Sequence, residues 1–384
     1  MKILMIFVDM LRPNRFNVYN DKIKPNQIDD LVKNLGATLY TNCYSPAPDT
    51  PRSMAAFHTG KLPFENGCDS RVKWPRKFLD NSLDTIYDEF IKQNYKMTFF
   101  SNPNERKTGL FPQKIDDMDI HNDDFDMDGY LSNVKLEEDH LVFVSIPDYH
   151  WALQDWRYSV KGEQKALLET RKSLDIVFKN LPKDEFDHIF IFSDHGFKFS
   201  IEKKREPMHE FINRDRSNIF MLHRSKNQNN IKYNDKLCSI LDMKDTIDDI
   251  FAKENLYSLF SKNEREYVIV EDHFSTGSPT VNQNIDMWGM VTKEFIYVRT
   301  LDKAVTIDMD SKILSQDVVE QYDDTLKKES QFGRYYDEYE KVFMYRNLVL
   351  KQTMHMNSRS RLDFKKNILQ VIFWYFLDYF KKFD

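Results

Sequence analysis

Four short segments of this chain carry side chains able to do chemistry. They are Phe7-Val8-Asp9-Met10, the loop from Tyr44 through Ser-Pro-Ala-Pro-Asp to Thr50-Pro51-Arg52, Ile146-Pro147-Asp148-Tyr149-His150, and Phe190-Ile-Phe-Ser193-Asp194-His195-Gly196. A lone acid or a lone imidazole usually serves structure. Asp194-His195-Gly196 says more, because an acid and an imidazole at a tight turn after an apolar run can both face one metal ion. Carboxylate oxygen suits hard divalent cations such as calcium or magnesium, and imidazole nitrogen suits zinc or manganese. The chemistry to look for is therefore metal-assisted.

Those segments need a scaffold, and the apolar pattern describes one. Short apolar runs at 3–8, 37–42, 96–100, 141–146, 187–192 and 218–223 read as strands. Amphipathic stretches at 26–34, 81–93 and 165–180 read as helices, the last with Leu167, Leu168, Leu174, Ile176, Val177 and Leu181 near helical spacing. Alternation of this kind predicts an α/β fold with a mostly parallel central sheet and helices on both faces. Ligands of such sheets bind beyond the carboxyl ends of the strands, where most of the four segments fall. After about residue 230 the texture changes. Residues 267–271, 287–299 and 303–308 read as a small antiparallel sheet. The expected organisation is a catalytic domain over 1–230, a C-terminal subdomain over 231–345, and a basic, aromatic helical tail over 346–384.

Composition narrows the class. With 384 residues, 41% hydrophobic and 30% charged, the chain suits a large globular fold and not a disordered one. A net charge of -6 argues against nucleic acid as the main partner. Cys43, Cys68 and Cys238 form no C-x-x-C pair, which disfavours a disulfide scaffold or a cysteine-zinc site. The first apolar run is short, ends in Asp9 and lacks a cleavage site, and no stretch of about 20 apolar residues could span a bilayer. A soluble, cytoplasmic protein is expected. Residues 102–138, rich in aspartate, read as a solvated excursion. The aromatic run 367–380, flanked by Lys365, Lys366, Lys381 and Lys382, offers a peripheral membrane contact or a surface for self-association.

Taken together the four segments resemble the alkaline phosphatase superfamily, and within it the sulfatase-like branch. In sulfatase-type loops the nucleophile stands ten residues before the Gly of a closing Thr-Gly, after a Pro-rich approach. Here the Pro-rich run leads to Thr50, and Thr59-Gly60 closes the loop at that distance. Lys61-Leu-Pro-Phe-Glu-Asn-Gly67 looks like the continuation of the same motif, and Asp194-His195-Gly196 and the late sheet fit the order. The departure is at the nucleophile. Sulfatases convert a Cys or Ser to formylglycine, whereas Thr50 carries a methyl group on its β-carbon and cannot be converted. Cys43 lies seven residues before Thr50 and lacks the following Pro and Arg. Phosphodiesterases, nucleotide pyrophosphatases and phospho-headgroup transferases of the superfamily use an unmodified Thr at this place.

The resemblance implies a metal-dependent phosphoester (mono- or diester) hydrolase or phospho-group transferase. Asp9, Asp194 and His195 would hold a divalent cation that also contacts Thr50 and favours its alkoxide for attack on phosphorus. A second ion, of zinc or manganese type, would need Asp148, His150 and His209 to meet. Otherwise His150 is the acid for the leaving oxygen. Arg52 is the candidate bidentate contact for a phosphoryl oxygen, and Lys73, Lys198 and Lys204 are further cations for substrate. His58 is expected to be buried structure, and His273 a candidate for lining the pocket. The expected substrate is a small phosphorylated molecule, or a phosphorylated glycan or lipid headgroup. Two alternatives stay open: sulfate-ester hydrolysis without formylglycine, and a catalytically silent member that binds a glycan or protein. A single acid after the first strand, where many sulfatases have two, keeps the latter in view.

Overall fold

The run Ile3–Val8 is apolar at every position, the pattern of a strand covered on both faces. The structure, a computed structural model, buries all six of these residues. It describes residues 1–68, 79–80, 82–101, 126–156, 159–197, 212–253, 255–275, 284–301 and 303–333, and residues 1–330 form one compact unit. In chain order the principal elements begin with β1 (Lys2–Val8), α1 (Gln27–Leu35), β2 (Thr38–Tyr44), α2 (Thr50–Thr59), α3 (Pro63–Asn66), α4 (Ile86–Lys92) and β3 (Lys96–Phe100). They continue with α5 (Met127–Leu131), β4 (His140–Ile146), α6 (Asp148–Asp155), α7 (Val160–Asn180), β5 (His188–Phe192), α8 (Arg214–Ser217), β6 (Met221–Ser225), β7 (Lys232–Ser239) and α9 (Asp242–Ile250). The last are β8 (Val268–Ser275), β9 (Asn284–Val291), β10 (Phe295–Arg299), β11 (Ala304–Asp308), β12 (Ile313–Ser315) and α10 (Glu320–Glu329).

The main sheet has the order β3-β4-β1-β5-β6-β2-β7. β1 pairs in parallel with β4 and β5, β3 with β4, and β7 with β2, while β6 runs antiparallel to both its neighbours. Alternate side chains of β1 enter different cores. Leu4, Ile6 and Val8 pack with α1 and α7 on one face, and Ile3, Met5 and Phe7 with α2, α4 and α9 on the other. The predicted α/β fold with helices on both faces is the observed one.

The second sheet, β12-β11-β10-β9-β8, is antiparallel. The stretch 287–299 of the expected antiparallel group holds two strands: Thr292 Oγ1 accepts the amides of Glu294 (3.2 Å) and Phe295 (3.1 Å) and turns the chain between β9 and β10. The change of texture near residue 230 does not mark the sheet boundary. β7 lies beyond it and joins the main sheet, and its polar first half (Lys232-Tyr-Asn-Asp235) hid an edge strand from the apolar pattern. Helix α4 starts later than 81 because Thr85 and Asp88 form a capping box there. Helix α7 starts earlier than 165, where the Ser159 side chain accepts from the Gly162 amide. Among the described residues no helix is long and apolar enough to cross a membrane. The tail at 346–384 and most of the acidic excursion lie outside the described residues.

At the opposite end of the main sheet from the four segments, two buried histidines are held neutral. Burial pushes His140 down to about 4, and it accepts the Glu137 amide at Nδ1 (3.3 Å) while its Nε2 meets Thr98 Oγ1 at 2.9 Å. Burial, helped by the neighbouring His188, pushes His223 down to about 3. An unfolded histidine protonates near 6.5. Between that value and the depressed folded ones the unfolded chain binds more protons, so stability falls as pH drops from about 6.5 towards 4. His223→Phe, which keeps the ring among Phe190 and Phe260, should lessen that dependence by one proton, about 1.4 kcal/mol per pH unit. Urea unfolding at stepped pH reads the slope, and an unchanged slope would count against this account.

Candidate active site

Parallel strands β4, β1 and β5 lie side by side, so their carboxyl ends deliver Asp148–His150, Asp9 and Asp194–His195 to one place. Strand β2, two places further along, delivers Thr50. Each arrival has a local cause. Met10, just after Asp9, takes a left-handed conformation (φ 65°), and its N–H donates to Asp194 Oδ1 at 3.0 Å. A non-glycine residue in that region costs stability and persists only where its surroundings hold it. Thr50 is the first residue of α2. Asp49 is its N-cap, accepting the Arg52 amide at 3.3 Å, and Pro51 follows in the first turn, where its missing N–H costs nothing. Gly60 ends α2 at φ 66°, which explains the Thr-Gly closure, since a β-carbon there would also stand 2.9 Å from Lys244 Cβ. Ser53 Oγ donates to the Asp194 carbonyl at 2.7 Å and ties α2 to the loop after β5. Gly196 lies so close to α8 that a β-carbon would fall 2.1 Å from the Asp215 carbonyl oxygen.

The geometry at the centre is specific. Thr50 Oγ1 lies 3.4 Å from Asp9 Oδ1 and 3.3 Å from His195 Nε2. His195 Nδ1 is 2.7 Å from the Gly196 carbonyl, so it carries the ring proton and Nε2 presents a lone pair. That lone pair faces Asp194 Oδ2 at 3.4 Å. Asp194 is fully buried, and Oδ2 makes no well-formed hydrogen bond. Burial raises the Asp194 carboxyl above its usual range. The His195 ring opposes this and the charge of Asp9 adds to it, while the Met10 amide and Thr50 hydroxyl oppose it. Ligand atoms of Asp9, Asp194 and His195 all lie within 4.8 Å of one another. Two carboxylates and an imidazole lone pair pointed at one buried spot repel each other unless a cation joins them. The donor set fits a divalent ion, with mixed oxygen and nitrogen ligands compatible with zinc or manganese.

His150 faces the same cluster. Its Nδ1 lies 2.8 Å from Asp9 Oδ2, and its Nε2 lies 2.8 Å from Gln154 Nε2. Burial alone would lower this imidazole, but the hydrogen bond and charge of Asp9, with the charge of Asp194, bring it above its ordinary value. Asp148 does not join. Burial raises its carboxyl, and the partner it finds is Ser173 on α7. Asp148 and His150 thus diverge from the first turn of α6. His209, Lys73, Lys198 and Lys204 lie outside the described residues, as does the side chain of His273, whose backbone belongs to β8. His58 is buried on α2 between Phe57 and Tyr87, as expected.

Arg52 is 1% exposed and turned inward. It donates from Nε to Asp49 Oδ2 (2.6 Å), from Nη1 to the Glu271 carbonyl (3.2 Å) and from Nη2 to Asp272 Oδ1 (3.3 Å). Asp272 Oδ2 receives Arg216 Nη1 at 2.8 Å. The guanidinium therefore clamps the start of α2 to β8. Asp49, Ser53, Gln154, Asp272 and Arg216 were not singled out from sequence. Only Asp49 had a readable signal, an acid directly before Thr-Pro at a helix start.

By sequence, no family model and no curated protein matches the chain. The folded chain does match solved structures. A 2-O GAG sulfatase superposes with a TM-score of 0.63 at 15% identity, covering 95% of this chain and 93% of that one. A protein in the alkaline phosphatase superfamily from Vibrio parahaemolyticus gives 0.61 at 16% identity, with 88% and 87% covered. The phosphonate monoester hydrolase from Silicibacter pomeroyi gives 0.58 at 13% identity, with 93% and 96% covered. The fold is that of the alkaline phosphatase superfamily in its sulfatase-like form, as the four segments implied.

Two predictions follow from this geometry. Zinc or manganese should raise the melting temperature of the wild type and leave that of Asp194→Asn nearly unmoved, as read by scanning fluorimetry with metal content by mass spectrometry. An equal shift in both proteins would remove Asp194 from the ligand set. Arg52→Ala leaves Asp49 a buried carboxylate without its counter-ion, and Asp272 with Arg216 as its remaining guanidinium partner, and should cost about 3–5 kcal/mol in denaturant unfolding. A loss below about 1 kcal/mol would mean the clamp is not needed.

Proposed function

We propose that the protein is a metal-dependent phosphoester hydrolase or phospho-group transferase working through Thr50. One observation carries the reading: a threonine hydroxyl, unable to become formylglycine, stands within 3.4 Å of both Asp9 and His195 in a ligand set whose buried Asp194 Oδ2 lacks a proper partner. A divalent ion bound there supplies positive charge that acidifies a nearby hydroxyl and stabilises developing negative charge on substrate oxygens.

The chain's own residues do the rest. Thr50 Oγ1 is fixed at the first turn of α2, where peptide dipoles favour the anion. Its proton faces Asp9 Oδ1 at 3.4 Å, the acceptor that remains once a cation takes the His195 Nε2 lone pair. Attack forms the Thr50 Oγ–P bond as the ester P–O bond breaks; the Thr50 proton passes to Asp9 Oδ1, 3.4 Å away, and the leaving oxygen takes a proton from His150, which Asp9 holds at the site. Water or an acceptor hydroxyl then forms a new O–P bond and releases Thr50. Asp9 orients His150 through the Nδ1 contact, which leaves Nε2, beside the exposed end of the Gln154 side chain, as the nitrogen that handles the proton. Arg52 serves in this scheme by holding α2 in place and not by touching the substrate. The substrate we favour is a small phosphorylated molecule, or a phosphorylated glycan or lipid headgroup.

Sulfate-ester hydrolysis is the second reading. It is favoured by the single cluster of ligands among the described residues, since Asp148 turns away from it. Nitrophenyl phosphate, bis-nitrophenyl phosphate, a phosphonate ester and nitrophenyl sulfate, assayed with added zinc or manganese, separate the two. Thr50→Ala should lose at least about a thousandfold in kcat. Residual activity above about a tenth would sink the nucleophile assignment, and sulfate turned over faster than every phosphoric ester would establish the second reading.

A further inference from the structure

Behind the metal-ligand set lies a buried ion pair that no part of the proposed chemistry uses. Arg12 is 2% exposed and Glu163, on α7, is 7% exposed. Arg12 Nη2 donates to Glu163 Oε1 at 2.8 Å, and the same oxygen accepts Arg15 Nε at 3.1 Å and the Tyr149 hydroxyl at 3.1 Å. The other arm of the guanidinium, Nη1, donates to the Phe197 carbonyl at 2.8 Å, and the group lies 4.0 Å from the centre of the Phe197 ring. Each partner is close in sequence to a site residue: Arg12 three after Asp9, Tyr149 next to His150, Phe197 two after His195. Glu163 Oε1 thus ties the segments that follow β1 and β4, and the Arg12 guanidinium extends the tie to the segment after β5.

We infer that Arg12 and Glu163 are a positioning pair: they set the orientations of His150 and His195, and through them the affinity of the ligand set for its metal. The inference deepens the function proposed above and rests on Asp9, Asp194 and His195 being that ligand set. A planar guanidinium suits the task, because its two arms fix both a carboxylate and a carbonyl in one plane. Groups beyond the direct ligands commonly change metal affinity by about tenfold or more when removed.

The test compares the wild type with Glu163→Gln and with the apolar double variant Arg12→Met/Glu163→Leu. Removing one charge strands the other, whereas replacing both with apolar groups of similar size commonly restores stability. Three quantities are read: unfolding stability, Mn2+ affinity by calorimetry, and the imidazole nitrogen signals of His150 and His195 in metal-free, 15N-histidine protein, assigned through His150→Gln and His195→Gln. The expected result is that the double variant unfolds closer to the wild type than Glu163→Gln does, short of it by the lost partner of the Tyr149 hydroxyl, while both ring signals shift or broaden and Mn2+ binding weakens by about tenfold or more. Wild-type ring signals together with Mn2+ affinity within about twofold of wild type in the double variant would make the pair a structural staple and overturn the inference. A wild type that takes up no Mn2+ overturns the metal reading instead, and the ring signals then decide the positioning by themselves.

Discussion

The site depends on an arrangement that is unfavourable by itself: the carboxylates of Asp9 and Asp194 and the lone pair of His195 converge on one buried point. Local sequence joins only Asp194 and His195; Asp9 comes from a distant part of the chain, and the mutual repulsion of the two carboxylates opposes the meeting. The surroundings hold them. Met10 adopts a left-handed backbone to give its N–H to Asp194, Ser53 bonds the Asp194 carbonyl, and Gly196 leaves room for α8 to press against the loop. Such expense in backbone and packing is expected at functional sites and not at ordinary sheet edges.

The main sheet explains how rigid groups can be held in so costly a place. β1 is central and laddered on both sides, so Asp9 inherits its position from seven registered pairs with β4 and five with β5. His150 and Asp194 come from those same two neighbours. Thr50 arrives by a less direct route, from β2 across β6, and its helix is braced at its start. Asp49 caps its helix, and Arg52 couples that cap to Asp272 in the second sheet. The second sheet therefore contributes to the site by bracing it. Its core meets the end of β2 through Tyr44 and the end of β7 through Leu237.

Much of this was legible in the chain before any folding. The apolar runs marked β1, β3, β4, β5 and the core of β2, because strands buried on both faces are apolar throughout. Asp194-His195-Gly196 pointed to a group that could hold a metal, and the Thr59-Gly60 closure fell where α2 ends. Where the pattern fell short, the cause was physical. β7 reads as polar because it is an edge strand, and the break between β9 and β10 is set by the Thr292 side chain and not by any loss of apolar character.

What the sequence by itself determined was the residue types and the order of the elements, because burial and backbone preference are local properties of the chain. Which carboxylate reaches the centre was decided only by the tertiary structure. Asp148 and His150 sit two residues apart on one helical turn, and the helix sends the first towards Ser173 on α7 and the second to Asp9. The same holds for Arg52, whose motif position suggested contact with substrate but whose partners, Asp49 and Asp272, exist as a pair only once the second sheet has packed against α2. A side chain's direction, unlike its period, depends on partners distant in sequence, and those are brought near only by the fold.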